Sequence, residues 1–179
     1  MTLPTIDVLF DADAIARRNR ELAAEIRAAD FVDNVLVVAV LKGSFVFAAD
    51  LIRALHSAGI SPQVDFISLS SYREATTSSG VVTVVRDLET DVAGRDVLLI
   101  DDILESGRTL SYAKSLVLER GARRAAVVVL LDKPGHRVAD IEAEFVGFEC
   151  PDKFVVGYGM DAAHAFRELP FIGYVVDKG

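Results

Sequence analysis

The chain has 179 residues, 51% hydrophobic and 26% charged, with a formal net charge of −8. That content suits one folded domain over residues 1–179 and excludes a disordered chain. The acidic balance argues against nucleic acid as a partner, while a small basic pocket for a phosphorylated metabolite stays open.

IDVLF (6–10) predicts a short strand. Asp11 and Asp13 stand where helix caps stand. Ile15, Leu22 and Ile26 then recur opposite Arg17, Arg18, Arg20, Glu21 and Glu25, which predicts a helix to about Ala29. VLVVAVL (35–41) is an unbroken valine-rich run, as in a parallel strand buried on both faces. LKGSF leads into a helix over about 45–57, closed by Gly59 and Pro62. QVDFISLSS (63–71) predicts a strand. YREATTSSG (72–80) is polar and aperiodic, hence a loop, and VVTVVRD (81–87) predicts a strand beyond it.

RDVLLID (95–101) predicts the next buried strand. Its helix runs to about Arg120, stops at Gly121, and presents Leu110, Ala113, Leu116 and Val117 on one face. AAVVVLLD (125–132) is again a strand. The alternation predicts an α/β fold with a Rossmann-like parallel sheet flanked by helices. EFVGF (144–148), KFVVGY (153–158) and FIGYVV (171–176) are short strands without long helices between them. They are expected to form a small hood or flap of terminal segments against the sheet's end.

Cys150 is the single cysteine, so no internal disulfide can form, which suits a reducing compartment. The stretch MTLPTIDVLFDADAI lacks the order of a signal peptide, and apolar runs stop short of membrane-spanning length. A cytoplasmic protein without membrane contact is expected. His56, His136 and His164 have no metal-ligand spacing.

One stretch asks for more than a fold: VLLIDDILESGRTL (97–110) drives an apolar strand into Asp101 and Asp102. In open parallel sheets, ligands sit beyond the carboxyl ends of strands. Glu105, Ser106, Gly107, Arg108 and Thr109 turn into the next helix, where N–H groups and hydroxyls can cradle a phosphate. Acids just before such a cradle suit sugar hydroxyls, since carboxylates accept hydrogen bonds from a cis-diol. The stretch therefore reads as a phosphorylated-ribose site. An acidic strand end followed by an ordinary helix start is the structural alternative.

The same stretch resembles the phosphoribosyl pyrophosphate signature of the type I phosphoribosyltransferases. LKGSFVFAADL (41–51), SSYRE (70–74), LLDKPGHR (130–137) and VGFECPDKFVVGYGMD (146–161) follow in the order of the hypoxanthine–guanine phosphoribosyltransferases. The resemblance implies attack of a purine N9 on C1′ of phosphoribosyl pyrophosphate, through an oxocarbenium-like transition state. It implies that Asp101 and Asp102 hold the ribose hydroxyls, partly through magnesium, and that Ser106, Gly107, Arg108 and Thr109 hold the 5′-phosphate. It places Glu105 at N7 of the base and Lys133 at its 6-oxygen. Phe154 would stack on the ring and the Val155 backbone would meet the exocyclic position. Asp161 would help hold Mg2+ on the pyrophosphate, and Arg167 would reach that group. Leu41, Lys42 and Gly43 would form the pyrophosphate loop, often with a cis peptide before the lysine. Ser71 and Tyr72 would start a closing loop. A homodimer or homotetramer is implied.

Each residue also has a plain structural use: Phe154 as strand core, Lys133 as a turn lysine, Lys42-Gly43 as an ordinary turn, Arg167 as a surface charge. Three positions depart from the family's commoner pattern. Glu105 stands where aspartate is usual, Asp101 where some relatives have glutamate, and Ala162-Ala163 where an aromatic often follows Asp161. Two other readings stay in view. A regulator of the same fold would sense phosphoribosyl pyrophosphate or a nucleotide, but tends to carry an added binding domain or basic face. A phosphoacceptor signalling domain gives no reason for Ser106-Gly107-Arg108-Thr109.

Overall fold

The computed structural model describes residues 5–71 and 81–176. In chain order the elements are β1 (Thr5–Phe10), α1 (Ala12–Ala28), β2 (Val35–Leu41), α2 (Phe45–Ser57), β3 (Gln63–Ser71) and β4 (Val82–Arg86). There follow β5 (Asp96–Leu104), α3 (Arg108–Glu119), β6 (Arg124–Asp132), β7 (Phe145–Glu149), β8 (Val155–Val156) and β9 (Ile172–Val176). The six-stranded sheet has the order β4-β3-β2-β5-β6-β7, parallel except for the edge strand β4. The second sheet, β1-β9-β8, is antiparallel and joins the two ends of the described chain into a hood. The expected loop at 72–80 lies outside the described residues.

Helix boundaries follow local chemistry. Asp11 caps α1, its Oδ1 accepting from the Ala14 N–H at 2.8 Å. Gly59 and Gly121 adopt positive φ of 83° and 89° beyond α2 and α3, where each chain reverses away from its helix. Ile15, Leu22, Ala23 and Ile26 of α1 are buried with Phe47, Leu51 and Leu55 of α2 against one sheet face. Leu110, Ala113 and Val117 of α3 cover the other. Burying each large aliphatic chain stabilises the fold by about 1.5–3 kcal/mol.

Two expectations need correction. EFVGF is not part of the flap: β7 extends the main sheet, with Phe145 beside Val128 and Glu149 beside Asp132. Five residues cannot reveal which sheet they join, and here β6 offers a free parallel edge. The strand carrying Asp101 does not stop there either. β5 runs on to Leu104, because β6 continues alongside and pairs Ile103 with Leu131 and Leu104 with Asp132.

Buried polar groups tie the layers. Tyr158, in the segment after β8, donates to Asp50 of α2 at 2.5 Å and accepts from Asn19 of α1 at 2.9 Å. Burial, with Asp50 beside it, pushes the Tyr158 hydroxyl well up. Asp65 accepts from the backbone N–H groups of Glu89 and Thr90, both at 2.8 Å, and so fastens the β4–β5 connection. At the start of β5 the fully buried Asp96 carboxylate takes hydrogen bonds from Arg123 at 2.6 Å and Arg124 at 2.8 Å. Among the described residues no helix is long and apolar enough to cross a membrane.

Hydrogen bonding from Arg123, joined by Arg124, outweighs burial and holds the Asp96 carboxyl below its ordinary value of 3.8. A depressed folded value means that the stabilisation is present above the unfolded value and is lost as pH falls through the folded one. Asp96→Ala is therefore expected to lower stability by about 2 kcal/mol at pH 7, since both arginines stay partly solvated. The deficit should shrink below about pH 3. Urea melts at the two pH values check this; an equal deficit at both would contradict it.

Candidate active site

The ladders decide where a cavity opens. β2 pairs with β5 only as far as Ala39 and Ile100, whereas β5 and β6 stay paired to Leu104 and Asp132. Beyond Ile100, β5 has a ladder partner on one side alone. A cavity of about 490 Å³ lies between this stretch and the segment after β2. Its lining includes Leu41, Lys42, Gly43, Asp101, Asp102, Glu105, Ser106, Gly107, Thr109 and His136.

The turn into α3 is shaped for an anion. Gly107 has φ of 79°, and a Cβ there would lie 2.6 Å from Ile141 Cγ2. α3 begins at Arg108 with no side-chain cap and no acid in its first turn. Its leading N–H groups therefore lack helical partners, and the helix dipole puts partial positive charge beside the cavity. Arg137 holds the turn, donating to the Glu105 carbonyl at 3.0 Å and the Ile141 carbonyl at 2.8 Å. The Ser106 carbonyl accepts from Val138 and Ala139 at 3.0 and 3.1 Å. Arg137 ends LLDKPGHR, and its role follows from the fold and not from that motif.

The acids need a partner. Asp101 is buried and Asp102 half-buried, and among the described residues no salt bridge reaches either. Burial raises both carboxyls above their ordinary value, and for Asp101 the neighbouring Asp102 raises it further. At Asp102 a hydrogen bond with the Asp101 side chain pulls the other way, helped by the Ile103 N–H and the more distant Arg167 charge.

The pyrophosphate-loop expectation lands on a tight backbone stack. The Leu41–Lys42 peptide is cis. A Cβ on Gly43 would lie 1.8 Å from Asp102 Oδ2, and one on Gly159 would lie 2.5 Å from the Gly43 carbonyl oxygen. Hood backbone, loop backbone and Asp102 thus pack with no space for side chains between them. Gly159 was not singled out in the sequence; its positive φ of 99° is the reason glycine stands there.

Lys133 follows β6 directly, its N–H donating to the Leu104 carbonyl at 3.0 Å. Its ammonium lies 3.1 Å from Glu105 Oε1 and 3.4 Å from Asp152 Oδ1, with the side chain only 12% exposed. It is not a solvated turn lysine. Burial alone would lower it, but Glu105 and Asp152 outweigh burial and raise it. His136 Nε2 lies 3.1 Å from the same Asp152 oxygen. His136 and Lys133 hold the Asp152 carboxyl below the usual carboxylate range. Neither Asp152 nor His136 was assigned from sequence, because only the fold brings them to Lys133. Cys150, nearby, is a buried free thiol pushed up by burial.

In the hood, Asp161 Oδ1 pairs with Arg167 at 2.8 Å and its Oδ2 accepts from the His164 N–H at 2.7 Å. Arg167 also donates to the Gly159 carbonyl at 2.6 Å, so it is not a free surface charge. Ala163, His164 and Phe166 take positive φ of 49°, 70° and 75° in the turn that lets the pair meet. Val155 is buried in β8. Phe154 is 64% exposed and so is not strand core, and neither residue lines the cavity. Ser71 ends β3, while Tyr72 lies outside the described residues.

No cluster of three or more metal-ligating side chains occurs among the described residues. Magnesium commonly takes only one or two protein carboxylates, completing its shell with substrate oxygens and water. The Asp101–Asp102 pair, which has no salt-bridge partner among the described residues, fits that donor set. Asp161 fits it less directly, since both of its oxygens are engaged.

A family model for the phosphoribosyl transferase domain matches residues 5–163. The chain belongs to this family. It is 47% identical over 167 residues to the hypoxanthine-guanine phosphoribosyltransferase of Bacillus subtilis, covering 93% of this chain and 91% of that one. It is 46% identical over 166 residues to the bifunctional protein TilS/HprT of Listeria innocua, covering 93% of this chain and 25% of that protein. A crystal structure of a hypoxanthine phosphoribosyltransferase from Staphylococcus aureus superimposes with a TM-score of 0.88 at 40% identity. That match covers 95% of this chain and 91% of the other.

The acid pair carries a sign that can be measured in this phosphoribosyltransferase. Acids whose folded values are raised cost stability as pH rises from the unfolded value through the folded one. Asp101→Asn is therefore expected to stabilise the ligand-free protein by about 1 kcal/mol, or roughly 2–4 °C, at pH 8. The gain should vanish near pH 3. Calorimetric melts at both pH values test it, and destabilisation at pH 8 would contradict the electrostatic account.

Proposed function

We propose that the chain is a 6-oxopurine phosphoribosyltransferase of purine salvage, acting as one catalytic domain in the cytoplasm. It transfers the 5-phosphoribosyl group from phosphoribosyl pyrophosphate to N9 of hypoxanthine or guanine, giving IMP or GMP and pyrophosphate; xanthine is the third candidate base. The observation that carries this is the shared cavity: a buried and a half-buried acid, an uncapped helix start and the 41–43 segment line one space, with Lys133 paired to Glu105 beside it. The relatives' names support the same substrates.

In this reading Asp101 and Asp102 accept hydrogen bonds from the ribose hydroxyls, relieving their mutual repulsion. Ser106, Thr109 and the N–H groups from Gly107 and Arg108 onward hold the 5′-phosphate. Leu41, Lys42 and Gly43 offer backbone and charge to the pyrophosphate, and Arg167 reaches it from the hood. Lys133 donates to the purine 6-oxygen. An ammonium has no acceptor, so the 6-amino group of adenine finds no partner there. Glu105 faces N7 and handles its proton. Phe154 gives an exposed aromatic platform for the ring, and the Val155 backbone meets the exocyclic position. Asp101, Asp102 and Asp161 would hold Mg2+, which when bound neutralises charge on the leaving pyrophosphate. We read the working form as a homodimer or homotetramer.

The test is a spectrophotometric assay with magnesium, phosphoribosyl pyrophosphate and each of hypoxanthine, guanine, xanthine and adenine. Turnover of oxopurines without adenine is expected. Tight phosphoribosyl pyrophosphate binding without turnover of any base would favour a sensing regulator instead. Lys133→Ala is expected to raise the KM for hypoxanthine by about a hundredfold, with phosphoribosyl pyrophosphate binding within about threefold. Equal loss of both would remove the base-reading role.

A further inference from the structure

The parallel register sets three strand ends in one row: Leu104 of β5 beside Asp132 of β6, and Asp132 beside Glu149 of β7. The next residues are Glu105, Lys133 and the turn Cys150–Asp152. That turn is pinned on both flanks. The Cys150 N–H donates to the Asp132 carbonyl at 2.7 Å, and the Lys153 N–H to the Pro151 carbonyl at 2.7 Å. The Lys153 ammonium also sits 3.5 Å from the centre of the Tyr174 ring in β9. Asp152 is thereby held facing Lys133, although its side chain is 71% exposed.

We propose that Asp152 is a positioning residue for base recognition: it holds the Lys133 ammonium at the base site while Glu105 turns from that ammonium to the incoming purine. The proposal rests on the 6-oxopurine reading above. Lysine has three donors and a stem with much rotamer freedom. In this structure two carboxylates restrain it, Glu105 at 3.1 Å and Asp152 at 3.4 Å. A purine that engages both Lys133 and Glu105 must separate that pair. Asp152 then remains as the anion that keeps the ammonium charged and aimed, and His136 Nε2 steadies the same Asp152 oxygen from 3.1 Å. Without the Asp152 charge, Lys133 has Glu105 as its sole carboxylate partner among the described residues. The two would pair more closely, and a base would compete with that pair. With Asp152 71% exposed, solvent screens the pair and it contributes little to folding. Base binding, rather than stability, should register the change.

Asp152→Asn, Asp152→Glu and the unaltered protein would be compared by steady-state kinetics, varying hypoxanthine and phosphoribosyl pyrophosphate separately, and by thermal melting. For Asp152→Asn the KM for hypoxanthine should rise about tenfold, while that for phosphoribosyl pyrophosphate stays within about twofold. The melting temperature should not move, and Asp152→Glu should recover most of the loss. An unchanged hypoxanthine KM, parallel rises in both constants, or a lowered melting temperature with no rescue by glutamate overturns the proposal. If the unaltered protein turns over no oxopurine, the 6-oxopurine reading fails and takes this proposal with it. Normal turnover with an unaffected Asp152→Asn overturns the positioning role alone.

Discussion

The site depends on a mismatch of strand lengths. β5 keeps its ladder with β6 four residues beyond its last pairing with β2, from Asp101 to Leu104. Pairing on one side keeps those residues extended and fixed. The missing pairing on the other side exposes them to a cavity instead of a neighbouring strand. Had β2 run as far, Asp101 and Asp102 would be shut into a sheet with no partner for their charge. Had β6 ended earlier, the acids would sit on a loop and lose their fixed spacing from the α3 turn.

That placement stores an electrostatic imbalance. A buried and a half-buried carboxyl stand next to each other with no salt-bridge partner among the described residues, while the α3 start presents N–H groups without helical partners a few residues on. The fold elsewhere neutralises its buried acids: Asp96 has two arginines and Asp65 has backbone N–H groups. The contrast argues that the pair is kept for something that arrives. The glycine stack serves the same end. Because neither Gly43 nor Gly159 carries a side chain, the hood can press its backbone onto the 41–43 segment and bring Arg167 within electrostatic reach of Asp102.

Much of this was legible in the residues. Helix spacing with Asp11 at the start and Gly121 at the stop located α1 and the end of α3, since caps and breakers act locally. Valine runs located the central strands. The length of β5 was not legible, because acids and a turn follow Ile100 and only the register of β6 keeps the chain extended. The sheet to which Phe145–Glu149 belongs was hidden for the same reason. Single motifs named Asp101, Asp102, Lys42 and Thr109, which lie close in sequence to the turns that use them. Arg137, His136 and Asp152 act across the row of strand ends, where partners distant in sequence are set by parallel pairing. No spacing in the chain announces them.

Glu105 shows how a departure from the usual pattern can be absorbed. Its backbone is pinned by Arg137 while its side chain is half-exposed and free to extend. Its carboxylate meets the Lys133 ammonium directly, at 3.1 Å. On the proposed reading, the two groups that read the base then neutralise each other until a base arrives. An oxopurine replaces one ion pair with two hydrogen bonds, to its 6-oxygen and at its N7. Adenine would break the same ion pair and leave the lysine facing another donor. On the same reading, discrimination then comes from two donors set against each other, the purine amino group and the Lys133 ammonium.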